Sequence, residues 1–576
     1  MTAKRKRCKY KDCEHYTHTE SDDFCIFHLE DKKDVTESQY EKLLTELFNK
    51  GYFDYKGYIF PWKVDLKDRN LFGADFTGAI FKEGISIENA ELQGSYNFSD
   101  VVFKKHSKFV RINQQTPTKQ CSFEFINAIA EDSFQFIINK ITHQINFRGF
   151  RAQKGLQINH IETGTATYLD NMVIDHGFQF VSNVFNESVY FRDNDITGRF
   201  NADSTKFNNF LVFKDSTFNS DVTFNGTSFL FTGGGIIENC TFNDTVSLSK
   251  NKIVASLSID RINFGEFGSF LLDSTEFNQV EGENEKLVSV GSISFKQIIF
   301  SEFKTVFKNI NYNVLPPVVL IDFDHCELKN VYFENMTFNS ISLFTSNFKD
   351  SRFIQCWEDN IGRIQPDNFL LEESYLKTKE KTKEYKKLKE IDELEVSHMY
   401  SDLKFAYDAN KKYHVSGEFF FKELELKKKF YLKYGNKRMY LLYWVNKYFT
   451  WFGQRPLITG LYVLFCFLMF TIYNLMNGLI VKRGSIENII DGYVFSFDKE
   501  GISNLLNFEF WENFGYASIY SLNRVLPFNF TRFYEQKVES IISSPWHFIL
   551  SIFYTFFCTL FIYYTLIGLR RHFKRF

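Results

Sequence analysis

Proline is scarce in this chain, with 8 in 576 residues beside 30 glycines and 7 methionines. Scarcity on that scale excludes a collagen or a proline-rich disordered linker. The net charge is −2, so neither sign is in excess and the chain as a whole is no polyanion binder. The opening MTAKRKRCKYKDCEHY is basic and has no apolar core, so no secretory signal is read there. The expectation is a reducing cytoplasm for the bulk of the chain, with most of the nine cysteines as buried thiols. No phosphate loop, catalytic triad or open metal site is found, and His106, His143, His160, His176 and His325 lack partners at useful spacing. The expected class is therefore not an enzyme. Phenylalanine, by contrast, is abundant: 70 residues, about 12 % of the chain and roughly three times ordinary usage. A mean hydropathy of −0.25 is too polar for an all-membrane protein. The phenylalanines must then be placed by a repeat, by a smaller membrane module, or by both.

Cys8, Cys13, Cys25 and His28 read C-x4-C-x11-C-x2-H. Three thiolates and one imidazole suit a closed tetrahedral Zn²⁺ site, structural because no coordination position stays open. A segment this short has no core of its own, so a metal would supply its folding energy. Free cysteines in a loose tail are the alternative, and His15 and His18 are alternative ligands. The basic run from Lys4 to Arg7 reads as a solvated tail, with lipid headgroups or nucleic acid as its competing partners.

From Phe323 a strict spacing of five appears: Phe323, Leu328, Phe333, Phe338, Leu343, Phe348 and Phe353. Two residues before each stands a smaller or apolar side chain: Ile321, Cys326, Val331, Met336, Ile341, Ser346 and Ser351. Neither the helical period of 3.6 nor the strand period of 2 gives this. Leu71, Phe76 and Phe81 share the spacing. Between Phe180 and Phe229 the steps alternate five and six, so an eleven-residue unit is two sides of a coil. Residues from about 104 to 170 are blurred, and 278–292 read as an insertion loop.

This pattern resembles the pentapeptide-repeat family. The resemblance implies a right-handed quadrilateral β-helix with four pentads per coil, the central Phe or Leu stacked inside. The physics agrees, since one coil cannot bury its own apolar corner and stacking of neighbours makes the core. At about 4.8 Å per coil, roughly 270 residues make a rod on the order of 60 Å long. Its end strands need covering. The zinc segment and the capping-box sequence around residues 36–48 form a natural amino-terminal cap. Some relatives mimic DNA through an acidic face, but the acidic excess along this repeat is small.

After Trp357 the pentads stop. Residues 371–394 read as a charged, solvated helix with Tyr375, Tyr385, Leu388 and Ile391 as a thin apolar stripe. A hairpin follows, with Leu403, Phe405 and Tyr407 on one helix, Gly417 at the turn, and Phe420, Leu424 and Tyr431 on the next. Leu403, Lys404, Gly417, Glu418, Phe419, Phe420 and Glu423 resemble the hairpin before the membrane module in pentapeptide-repeat membrane proteins. Residues 456–480 and 545–569 carry no Lys, Arg, Asp or Glu and are long enough to span a bilayer. Lys427, Lys428, Lys429, Lys433, Lys437, Arg438 and Arg455 precede the first; Arg570, Arg571, Lys574 and Arg575 follow the second. The positive-inside rule then puts both termini in the cytoplasm of a multi-pass inner-membrane protein. Between the spans, 513–530 is apolar and too short to cross, which suits a re-entrant or interfacial helix.

The carboxy-terminal part resembles the two-span ion-channel-like module of pentapeptide-repeat membrane proteins. Tyr520, Ser521, Leu522, Leu526, Pro527 and Phe528 carry that likeness, with Leu569, Arg570, Arg571 and Phe573 at the end and Phe452, Gly453, Arg455 and Pro456 before the first span. Phe514–Ser521 has only Gly515 and Tyr516 in place of a potassium filter run, so potassium selectivity is not expected. Pore candidates are Asn513, Ser518, Ser521, Asn523, Arg524 and Pro527; for Arg524 snorkelling to headgroups is the alternative. The expected layout is a zinc-knuckle-like segment at 1–33, a cap at 34–66, the β-solenoid at 67–357, helices at 358–440 and the transmembrane module at 441–576.

Two functions compete. One is a membrane effector or channel, a homo-oligomer and most simply a tetramer, gated by the solenoid on a nucleotide, oligonucleotide or protein signal, in antiviral or stress defence. The other is a solenoid scaffold tethered to the bilayer that binds a protein or nucleic-acid partner along one face.

Overall fold

The computed structural model describes residues 6–19, 21–32, 35–114, 121–137, 140–141, 144–230, 234–265, 267–277, 279–281, 287–300, 304–312, 319–357, 370–377, 391–450, 456–483, 486–492, 507–525, 536–541 and 545–573. They fall into two compact units, 1–388 and 389–576. His143, most of the charged stretch 378–394 and the juxtamembrane Phe452, Gly453 and Arg455 lie outside the described residues, as do Leu526, Pro527, Phe528, Lys574 and Arg575.

The first unit is a parallel β-solenoid of about twelve turns. Its coil has four faces. Ile59–Phe60, Ile80–Phe81 and Val102–Phe103 begin the first, and Val64–Asp65 and Ile85–Glu88 the second. The third carries Lys140–Ile141 and Glu162–Thr163; the fourth carries Ile145–Asn146 and Thr167–Tyr168. Rings repeat up the inside at the coil spacing. Phe60 lies parallel on Phe81 at 4.5 Å, and Phe191 on Phe213 at 4.4 Å. The distances match the rise of a parallel strand pair.

The two rhythms of the sequence correspond to two coil lengths. In the middle, Ile129 stands over Arg151 and Arg151 over Val173, 22 residues on each time. Near the end, Ile321 stands over Ile341, 20 residues on. In this stretch one residue of each five-step takes a left-handed backbone: His160, Asn171, Ser182, Asp193, Ser204 and Asp215 all have φ near +55°. Asn, Asp and Ser tolerate that region better than branched residues do. The blurred stretch is also part of the ladder. Phe125, Ala130, Phe136, Ile141, Phe147, Ala152, Ile158, Thr163, Leu169 and Ile174 are all buried at the same alternating steps. Alanine and threonine stand there in place of phenylalanine.

Corners interrupt the strand ladders, and polar minus-two side chains supply the missing bonds. Asn183 accepts the N–H of Ile161 at 3.0 Å and donates to the carbonyl of Ile158 at 2.8 Å. Asn194 accepts the N–H of Met172 and donates to the carbonyl of Leu169 in the same way.

Links from the third face to the fourth are usually short, as from Ile141 to Ile145 or from Phe185 to Val189. Four links at this same corner are longer: Gln114 to Cys121, Phe229 to Gly235, Phe277 to Ser292 and Tyr312 to Ile321. The third of these is the expected insertion at 278–292. It is built as an antiparallel pair, Gln279–Glu281 with Leu287–Val290, and Ser292 is already back in the coil.

Both ends of the solenoid are covered. Helix α1, Glu37–Asn49, starts at Thr36 with the expected capping box to Gln39. The N–H of Ile59, on the outer edge of the first strand, donates to the carbonyl of Phe27 at 2.7 Å. Lys32 donates to the carbonyls of Ile26, Leu29 and Ile59, and its burial pulls the ammonium down to about 7. At the other end Trp357 stacks on Phe338 at 4.3 Å, and helix α2, Leu371–Lys377, closes the coil. The reading of 371–394 as solvated is corrected here, because Leu371, Glu372, Glu373 and Tyr375 are all buried. One Glu372 carboxylate oxygen accepts the N–H groups of Leu343 and Phe344 at 3.0 and 3.2 Å, orphans of the last turns.

Burial pushes the Glu372 carboxyl up from 4.5 to about 7, against the pull of those N–H bonds. The folded chain then holds this proton more tightly than the unfolded chain. Its stabilising contribution is complete below about pH 4.5 and is lost as pH rises through 7, an effect on the order of 3 kcal/mol. Melting the carboxy-terminal coils at pH 5 and pH 8 should show that loss, and Glu372→Gln should flatten it. Equal pH dependence in the Gln protein would refute the assignment.

The second unit opens with a hairpin of α3, Glu393–Ala409, and α4, Tyr413–Lys433. Leu403, Phe405 and Tyr407 lie on α3 as expected; Leu403 and Tyr407 are buried, and Phe405 is 55 % exposed. The turn is not at Gly417, which lies buried inside α4. It falls at Asn410–Lys411, where Asn410 caps onto the carbonyl of Ala406 and Lys411 has φ +60°. Helix α5, Lys437–Thr450, leaves Leu441, Leu442, Trp444, Val445 and Tyr448 exposed. Its Lys447 pairs with Glu425 of α4 at 2.8 Å.

Two helices are long and apolar enough to cross a membrane: α6, Pro456–Asn477, and α8, Pro545–Phe573. Between them lies α7, Phe508–Val525. The first helix stops at Asn477 rather than 480, because Leu479–Arg483 is a strand. That strand is the centre of an antiparallel sheet with Ile486–Ile490 and Gln536–Ser540 on either side. Lys482 bridges both neighbours, to Glu487 at 2.9 Å and Glu539 at 3.2 Å.

Candidate metal centre and membrane module

The loop from Cys8 to Cys13 is tied by the N–H of Cys8 to the carbonyl of His15. A tight turn joins Cys25 to His28, whose N–H bonds the Cys25 carbonyl at 3.0 Å. These two turns bring one ligand atom of each of Cys8, Cys13, Cys25 and His28 within 4.8 Å of one another. The Sγ atoms of Cys13 and Cys25 are 3.8 Å apart, and Nδ1 of His28 lies 3.1 Å from Cys25 Sγ and 3.6 Å from Cys8 Sγ. A tetrahedron of about 2.3 Å metal–sulfur bonds has edges of about 3.8 Å, so a metal ion fits between them.

The surroundings favour ligation through Nδ1. His28 Nε2 lies 2.8 Å from the carbonyl of Lys56 and so must carry the proton, leaving Nδ1 bare. Tyr10 stacks on the imidazole at 4.0 Å, and the N–H of Cys25 points at Cys8 Sγ from 3.2 Å. Burial raises the thiols of Cys13 and Cys25 and lowers His28, so without a cation all three are neutral at pH 7. A bound cation displaces the thiol protons. The alternative ligands His15 and His18 lie outside this cluster. His15 Nε2 is 2.8 Å from the hydroxyl of Tyr58.

In the second unit, α7 packs one face on α6 and α8. Phe510, Asn513, Ala517, Tyr520 and Ser521 are buried, at helical spacing. They meet Phe470, Leu475, Tyr554 and Cys558. Thr471 bonds Ser521 side chain to side chain at 3.1 Å, and the Tyr554 hydroxyl donates to the Ser521 carbonyl at 3.1 Å. Thr555 Oγ1 donates to the Arg524 carbonyl at 3.4 Å. The pore candidates therefore divide. Asn513 and Ser521 are packed inside the chain's own bundle; Ser518 and Asn523 are half-buried, and Arg524 is exposed. Pro527 lies outside the described residues. Sequence reasoning missed Ser551, Thr555 and Thr559, which recur every fourth residue along α8 beside Arg524.

No protein-family model, characterised protein or solved structure matches the chain.

Proposed function

We propose that this chain is a membrane effector of the pentapeptide-repeat type, in which a zinc-capped cytoplasmic solenoid senses a signal and gates an oligomeric two-span pore. The observation that carries it is the placement of α7. Its last turn bonds Thr555, next to the middle residue of the 23-residue apolar stretch Pro545–Ile567. A helix ending at that depth, with Arg524 on its final turn, is out of place in a simple anchor. Span, half-helix and span is a layout that pores use, and one copy has too few spans to enclose a path, so a homo-oligomer follows. The exposed apolar stripe of α5 and its lysines suit an interfacial helix at the cytoplasmic headgroups.

Purified full-length protein in liposomes is expected to pass ions, with or without added cell extract as the trigger. Vesicles that stay sealed under both conditions would sink the proposal. The tethered-scaffold reading draws on the solenoid corner where four longer links gather, since such links commonly mark a binding face. Truncation after residue 440 separates the two, because only a scaffold keeps its full biological activity without the spans.

A further inference from the structure

We infer that the conducting path of this pore runs along the groove between the end of α7 and the outward face of α8, and that it passes small anions. The inference rests on the pore reading above. The groove has a volume of 610 Å³, with Arg524, Ser551, Thr555, Thr559 and Tyr563 along it. Its four α8 residues recur every fourth position, so their hydroxyls form one ridge that drifts about 40° per step around the helix. Phe548, Ile552, Phe556 and Leu560 also line the groove, and the exposed surface of α8 beyond it is apolar: Phe553, Phe557, Ile549 and Leu566. Lipid suits those side chains. Hydroxyls on the same helix, beside the guanidinium of α7, suit water or ions instead.

The sign of the charge selects the ion. Among the described residues Arg524 is the one charged residue lining the groove. Its guanidinium donates to the Tyr520 hydroxyl at 2.9 Å and lies 5.2 Å from that ring, and among the described residues it has no carboxylate partner. Holding such a charge within a bilayer costs about 2.5–3.5 kcal/mol even on the lenient insertion scale. A mobile anion offsets that cost, and the hydroxyls of the exposed Thr559 and Tyr563 can donate to it. The carbonyl end of α7 opposes this with roughly half a negative charge, while the guanidinium carries a full positive one, so the local field remains positive. Repeated around a ring of copies, the arrangement repels cations.

The test is the reversal potential of full-length protein in liposomes under a tenfold KCl gradient. The current should reverse near the chloride potential, about 59 mV from zero. Arg524→Gln should bring the reversal close to zero, and Arg524→Lys should keep it near chloride. Thr559→Val, at an exposed position, should lower conductance several-fold without changing the sign. Reversal at the potassium potential, or an unchanged reversal in Arg524→Gln, overturns the anion path while leaving the pore standing. Absence of any current overturns both.

Discussion

Cys25→Ser should strip the metal from the protein and unfold its amino-terminal cap. Metal analysis of the wild-type chain is expected to give about one zinc per copy, and of the variant close to none. Among the described residues, the segment before α1 buries little beyond Cys8, Thr17, Cys25, Phe27, His28 and Val35, so a bound ion would stand in for a core. Structural zinc in segments of this size contributes on the order of 10 kcal/mol, more than any single packing contact could replace. Loss of the segment frees the N–H of Ile59 from the Phe27 carbonyl and exposes the edge of the first strand. Hydrogen exchange should therefore quicken around residues 55–66, and the purified protein should self-associate through that edge. His15→Gln is the control. It removes only a hydrogen bond to Tyr58 and should retain the metal. Full zinc occupancy in Cys25→Ser would show that these four residues are not the ligand set.

Phe213→Ala should cost about 3–5 kcal/mol, and the loss should be confined to neighbouring coils. Its ring lies parallel on Phe191 at 4.4 Å and meets Phe200 and Phe224 edge-on at 6.0 and 5.6 Å. Truncation leaves a void that the coils above and below cannot fill, because their backbones are fixed by the parallel ladder. Phe72→Ala is the comparison. Phe72 is 58 % exposed, and its loss should fall within about 0.5 kcal/mol. Hydrogen exchange read coil by coil separates the two expectations. A uniform loss of protection over all coils would argue against nearest-neighbour stability in this solenoid.

The ladder was legible where the occupant was large. A period of five cannot be mistaken for helix or sheet, and Phe323 to Phe353 fixed both the repeat and the inward face. It faded where Ala130, Ala152 and Thr163 took the same place, because hydropathy records side-chain size rather than position. The candidate metal cluster was legible because thiolate and imidazole chemistry is local, whereas the bond that engages His15 comes from Tyr58, 43 residues away. Gly417 misled because glycine marks a helix turn only by habit; Asn410 supplied the actual stop. The three-stranded sheet escaped notice because Leu479 and Ile480 extend the apolar run of α6. Its signal was the charge pattern, Lys482 between Glu487 and Glu539. Among the pore candidates, helix periodicity alone could have set Asn513 and Ser521 apart from Ser518, but which face met α6 was a tertiary fact.

The four longer links share one corner of the solenoid. Chain length there is unconstrained by the stacked rings, as the range of link lengths shows. That corner is where an epitope tag or a fluorescent protein can be spliced in without disturbing the coils, for example between Gln114 and Cys121 or between Phe229 and Gly235. A pair of such labels, one at each site, would turn the solenoid into its own strain gauge and report whether it flexes.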